Sequence, residues 1–374
     1  MTRNGERKTM SETMTSRDRV LAAMDHRTAD RVPMTFDAEK EVYEALAARL
    51  GTETKEGLFD RLGVDTWYVG MRGRQRDSAA AAGDRAPAAA ETDGLWGFRT
   101  RVVHYEGGSY GELCYSPLAG KDEIADIDAH RWPGPDAVTF DHCAAEIAAH
   151  RNRAVVGTFG WGAYFRATWV RGMEDLMMDM ALRPRYAEHL IRTIADCTLA
   201  HLDGLLATCG PDLDIVYMAD DYCSQLGPLF SPEVFRRMIV PYLRAATDRV
   251  HACGKKFLLH CCGAVRPLLP MIIEAGVDLL EPIQIRAAGM EPAGLKRDFG
   301  RDLCFWGGLD LQHVLCKGSP QEVADEARRL IDILGADGGY IFGPGHTYIQ
   351  VDAPVDNILA MYQTGRTHRL RTGR

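Results

Sequence analysis

From residue 150 onward the chain alternates short apolar, β-rich runs with long amphipathic stretches, and this alternation limits the fold more than any other feature. Strand-then-helix repetition is the signature of βαβ units and of a parallel sheet. The runs Ala154–Phe159, Asp214–Ala219, Lys256–His260, Val277–Pro282, Leu303–Gly307 and Gly339–Gly343 read as strands. Helical stretches fall around them at 172–208, 232–253, 266–275, 290–299 and 319–335. Two further strands near Val32 and Thr66 bring the count to eight. That number favours an α/β fold of the closed (β/α)8 TIM barrel kind over an open doubly wound sheet.

At 374 residues the chain has room for one such barrel with an N-terminal extension and insertions. Residues 1–15 lack apolar periodicity and predict a disordered tail, with a single barrel domain over 16–370. Residues 72–93 are rich in Ala, Asp, Arg and Gly and predict a mobile insertion, followed by hairpin-like pieces at Gly97–Tyr105 and Tyr110–Tyr115. The 44 Lys and Arg against 52 Asp and Glu give a net charge of −8, which argues against a nucleic-acid or anionic-membrane partner. No apolar run is long enough to span a bilayer, and the polar start does not read as a secretory signal, so a cytoplasmic location is expected. Ten scattered cysteines suggest buried thiols rather than a disulfide framework.

In a parallel barrel the chemistry gathers at the carboxyl ends of the strands. Here the later runs end in polar or metal-ligating side chains: Asp220-Asp221, His260-Cys261-Cys262-Gly263, Glu281, Asp310 and His346. Imidazole, thiolate and carboxylate are the ligands of zinc, and His260, Cys262, Glu281 and His346 form a candidate set. Residues two apart at a strand end can aim at one point, which suits the His-x-Cys pair, although a buried Cys is more often packing. Of the two aspartates one is expected to cap a helix or pair with Arg, and the other to act as an acid or substrate contact. His346 is a second candidate catalytic group. Trp161, Tyr164 and Arg166 could wall a small-molecule pocket, although packing is the commoner role for each; Tyr217, Gln284 and Asp310 are further candidate substrate contacts, Arg286 and His313 stand near the rim, and Gln225 helps build the loop after Asp221. Adjacent Cys261 and Cys262 are unsuited to a disulfide.

Taken together, several segments resemble the uroporphyrinogen decarboxylase superfamily over nearly the whole chain. They are Ser16-Arg17-Asp18-Arg19-Val20-Leu21-Ala22-Ala23, Asp30-Arg31-Val32-Pro33, Ser231-Pro232-Glu233, His260-Cys261-Cys262-Gly263, Gly307-Gly308-Leu309-Asp310 and Gly345-His346. True decarboxylases of that superfamily carry an Arg-rich segment after the Val-Pro, and this chain has Met34-Thr35-Phe36-Asp37-Ala38-Glu39 instead. The His-x-Cys pair resembles the zinc motif of the corrinoid-linked methyltransferase branch, which a distant Cys completes; the matching position here is His346.

The resemblance implies a methyltransferase that demethylates a small methylated substrate with Zn2+ and passes the methyl to a corrinoid (cobalamin). No cobalamin-binding segment is recognisable, so the corrinoid is expected on a separate partner protein. Self-association is left open. The alternative is a metal-independent decarboxylase in which an acid and His346 protonate a carbanion. A non-catalytic barrel that binds a tetrapyrrole or a corrinoid protein is disfavoured by the density of ionisable groups at the strand ends.

Overall fold

The computed structural model describes residues 14–73, 90–92, 95–105 and 108–370. All of the proposed tail but Met14 and Thr15, and most of the proposed mobile insertion, lie outside them; Thr15 caps the helix Ser16–Met24. Seven parallel strands run in chain order: β1 (Thr66–Gly70), β2 (Ala154–Trp161), β3 (Ile215–Ala219), β4 (Lys256–His260), β5 (Leu279–Glu281), β6 (Cys304–Trp306) and β7 (Tyr340–Ile341). The run near Val32 supplies the eighth staves of the wall as a short extended segment rather than a full strand. Thr35 N donates to Phe342 O (3.0 Å) and Phe342 N to Pro33 O (2.8 Å) on one side, and Asp65 N donates to Met34 O (2.8 Å) on the other. These bonds close the sheet into a (β/α)8 barrel.

Side-chain alternation along the strands divides the core in two. Ala154, Val156, Ile215, Leu258, Leu279, Cys304, Trp306 and Ile341 point inward and pack on Val20, Ala23 and Met24 of the helix Ser16–Met24, which plugs the amino end of the barrel. Val155, Val216, Phe257, Leu280 and Phe305 point outward into the larger cluster under the helical shell. In the shell, Pro320–Leu334 buries Val323, Ala327, Leu330, Ile331 and Leu334 on one stripe. Its start is fixed by a capping box, in which Glu322 N donates to Ser319 Oγ and Ser319 N donates to the Glu322 carboxylate.

Two long helical stretches of the sequence are broken in the structure. The first divides into Met173–Leu182 and Pro184–Cys209, because Pro184 has no N–H to continue a helix but suits a first turn. Pro241 acts in the same way between Pro232–Met238 and Val240–Ala252. A helix over Ala163–Arg171 was not anticipated; it follows β2 directly. The hairpin pieces form the paired strands Arg99–Tyr105 and Gly108–Tyr115 of a small antiparallel sheet outside the barrel. No helix among the described residues is long and apolar enough to cross a membrane.

Candidate metal centre and substrate cavity

Strand register builds the site. Ala219 of β3 pairs with His260 of β4, and His260 pairs with Glu281 of β5. His260 lies two residues beyond inward-facing Leu258, and Glu281 two beyond Leu279, so both side chains share the top layer of the barrel interior. They meet there: His260 Nδ1 lies 3.0 Å from Glu281 Oε2. Two residues past the paired positions Ala219 and His260, the chain places Asp221 and Cys262 side by side. Cys262 N donates to Asp221 Oδ1 at 2.7 Å.

The other nitrogen of His260 faces this pair. Its Nε2 is 3.4 Å from Cys262 Sγ and 3.6 Å from Asp221 Oδ1, and the three ligand atoms lie within 4.8 Å of one another. Ligand atoms around a tetrahedral zinc with bonds of about 2.0–2.3 Å stand roughly 3.3–3.8 Å apart, so donor types and spacing both fit zinc. Glu281 is placed to do what a carboxylate commonly does behind a metal-binding imidazole, which is to fix the ring through the far nitrogen. Thr347 joins it: Thr347 Oγ1 donates to Glu281 Oε1 (2.8 Å) and lies 3.0 Å from His260 Nδ1. Burial opposes a charge on His260, but Glu281 and Cys262 outweigh it and hold its pKa well above the ordinary imidazole value. Burial pushes the Cys262 thiol up, against the pull of His260.

The structure therefore groups the expected residues differently from the sequence. His260 and Cys262 converge as expected, but their companion is Asp221. Glu281 stands on the opposite side of the imidazole from that cluster. The rings of His346 and His260 are 6.4 Å apart and nearly perpendicular, and His346 Nδ1 faces the backbone of Tyr348. His346 lines the neighbouring cavity instead. Asp220 is enclosed: it accepts from Tyr164 N (3.3 Å), Phe165 N (2.6 Å), Tyr222 Oη (3.0 Å) and Tyr242 Oη. It thus caps the helix Ala163–Arg171, while burial pushes its carboxyl up to about 7 against those donors.

Trp161, Tyr164 and Arg166 do not line that cavity. Tyr164 is buried against Phe230 and Tyr222. Arg166 lies between the rings of Trp96 and Trp161, 4.6 Å from each centroid, in a cation–π sandwich. Tyr217 is beside the centre, its ring centroid 6.1 Å from that of His260.

The cavity is about 280 Å3 in volume and opens at the barrel mouth between Gln284, Arg286, Asp310, Gln312, His346 and Gln350, among others. Gln284 joins it to the cluster: Nε2 lies 3.5 Å from Cys262 Sγ, and Oε1 accepts from Gly263 N (2.9 Å) and Gln225 Nε2 (2.6 Å). Thr347, Gln312 and Gln350 were missed from the sequence. Thr347 adjoins His346 at a strand end and was within reach of the same reasoning; the two glutamines carry no local signal.

Fold and mouth together define a closed parallel barrel with an N/O/S ligand cluster at its carboxyl end. The chain belongs to the family described as uroporphyrinogen decarboxylase (URO-D), whose model matches residues 139–368. It is similar to a methylated-thiol–coenzyme M methyltransferase of Methanosarcina mazei, 27% identical over 179 residues, or 46% of this chain and 45% of that protein. It is also similar to a uroporphyrinogen decarboxylase of Aromatoleum aromaticum, 26% identical over 205 residues, 51% of each chain. The chain spans about half the length of the curated relatives it matches. A solved methyltransferase from Methanosarcina mazei shares the fold, with a TM-score of 0.66 at 16% identity over 94% of this chain and 98% of that one.

Proposed function

We propose that this chain is a zinc-dependent methyltransferase that demethylates a small O-, N- or S-methylated compound and delivers the methyl group to a corrinoid carried by a separate protein. The convergence of Asp221, His260 and Cys262 carries the reading, since barrel packing alone gives no reason for a carboxylate, an imidazole and a thiol to share one point. The curated methyltransferase relative supports it. Zinc would supply Lewis acidity to the heteroatom that bears the methyl group.

The chain's own residues do the rest. Glu281 and Thr347 hold His260 by Nδ1, which keeps Nε2 turned toward Cys262 and Asp221. Gln284 braces Cys262 Sγ from the cavity side. When the bond between the methyl carbon and the heteroatom breaks, the electron pair stays on the heteroatom, which then takes up a proton. His346 lines the cavity with Nδ1 engaged by Tyr348, so Nε2 is the nitrogen that supplies that proton. Asp220 acts at a distance by fixing the helix after β2. The second reading is a metal-independent decarboxylase acting on another carboxylated substrate; it is favoured by the decarboxylase relative and by the same placement of His346.

Metal analysis of untagged protein by inductively coupled plasma mass spectrometry separates the two. The expected result is about one zinc per chain, lost in Cys262→Ala and Asp221→Ala and retained in His346→Ala. Methylated compounds are then assayed with a reduced corrinoid protein. Folded wild-type protein that is metal-free and takes up no added zinc sinks the methyltransferase mechanism, and carbon dioxide release becomes the assay.

A further inference from the structure

The cavity beside the cluster contains one ion pair whose partners are engaged to different degrees. Arg286 follows β5 and Asp310 follows β6, and both line the cavity. The Asp310 carboxylate is fully used. Its Oδ1 accepts from Gln312 N (3.1 Å) and His313 N (3.3 Å), while Oδ2 accepts from Arg286 Nε and lies 3.3 Å from His313 Nδ1.

Arg286 is held by Nε alone. Its side chain is 57% exposed, and neither Nη1 nor Nη2 has a hydrogen-bond partner among the described residues. A guanidinium anchored in this way presents its outer edge as two parallel donors, the geometry that takes a carboxylate or sulfonate with two bonds. The rest of the lining suits such a guest. Asp310 is the one carboxylate among the lining residues, and Gln225, Gln284, Gln312 and Gln350 add neutral amides. Ile283 and Leu311 offer apolar surface to a short carbon chain. A volume of about 280 Å3 suits a small guest. Gln284, on the shared wall, gives the direction from Arg286 toward Cys262.

We infer that the substrate is a small methylated acid, bound by its carboxylate or sulfonate on the Nη edge of Arg286 with its methylated heteroatom at the Asp221–His260–Cys262 end of the cavity. The methyl-bearing half of this statement rests on the methyltransferase reading; the anion site is tested by binding alone.

The test is calorimetric titration of the full chain, at matched zinc content, with methoxyacetate, methylthioacetate, methylthiomethanesulfonate and the neutral amides of the two carboxylic acids. The acids should bind about tenfold or more tightly than the amides. Arg286→Gln should bring the acids to the level of the amides, and Arg286→Lys should fall between. Comparing the carboxylates with the sulfonate shows which anion the site is built for. Amides that bind as well as acids overturn the inference, as does an acid preference that survives Arg286→Gln. A preference that survives there but disappears in Cys262→Ser puts the acid on the metal and overturns it too. Acid binding through Arg286 without methyl transfer to a corrinoid protein leaves the anion site standing and removes the methyltransferase reading.

Discussion

At the amino end of the barrel Asp65 lies fully buried beneath two arginines, bonded to Arg31 at 2.6 and 2.9 Å and to Arg19 at 3.3 Å, and it also accepts from Met34 N at 2.8 Å. At the carboxyl end Asp221, His260 and Cys262 converge with no Arg or Lys bonded to any of them among the described residues. Both regions remove ionisable groups from water. Below, each charge meets an opposite charge and the arrangement is complete in itself. Above, lone pairs meet lone pairs, which is unfavourable packing unless a cation or a proton is shared between them. The first arrangement ties the eighth segment of the wall to β1; the second has the form of a binding site.

The contrast can be broken by exchanging which end is damaged. Asp65→Ala should lower the free energy of unfolding by about 3–5 kcal/mol, because Arg19 and Arg31 stay buried without their shared carboxylate. Asp221→Ala, at a half-buried position, should change it by about 1 kcal/mol or less when both proteins are compared free of metal. Chemical denaturation measures both, and equal losses would abolish the distinction between the two ends. Next in size, Glu281→Gln should weaken zinc binding by about 10–100-fold in competition with a chelator, because the ring of His260 loses its charged partner. An unchanged affinity would mean that Glu281 is not the group orienting His260. Thr347→Val removes a single hydroxyl behind the same ring and should weaken zinc by about fivefold, equivalent to ~1 kcal/mol for one hydrogen bond.

The smallest effect concerns Asp37, beneath the mouth. Burial raises its pKa, against the attraction of Lys55 and bonds from Ala38 N (2.9 Å) and Tyr43 Oη (3.0 Å). The folded chain therefore holds this proton more firmly than the unfolded one. Its contribution to stability is complete below the ordinary carboxylate pKa of about 3.9 and is lost as pH rises through the raised value. Asp37→Asn should flatten the stability curve just above that pH, as read from melting temperatures across a pH series. A curve of unchanged slope would show that Asp37 titrates as freely as in the unfolded chain.

Much of the barrel could be read directly because its strands are short apolar runs whose polar ends mark the mouth. Val32 was the weaker case: the segment contributes only a bridge at Met34, and its place in the wall depends on Asp65, which no local pattern reveals. Two of the three residues of the ligand cluster were legible for the same reason the strands were, since His260 and Cys262 share one strand end. Asp221 was singled out but given a different role, because its distance from Cys262 follows from the register between β3 and β4. Trp161, Tyr164 and Arg166 offered packing or a pocket wall on sequence alone, and the helix after β2 and Trp96 from outside the barrel enclose them.

The sequence by itself determined the βαβ order and the set of chemical groups that leave the sheet at its carboxyl edge. These are consequences of backbone periodicity and of residues within a turn of one another. Only the tertiary structure decided which of those groups meet. Neighbouring strands in a parallel barrel are joined through a helix, so one register shift would separate Asp221 from Cys262, and Glu281 from His260, without altering a single local preference.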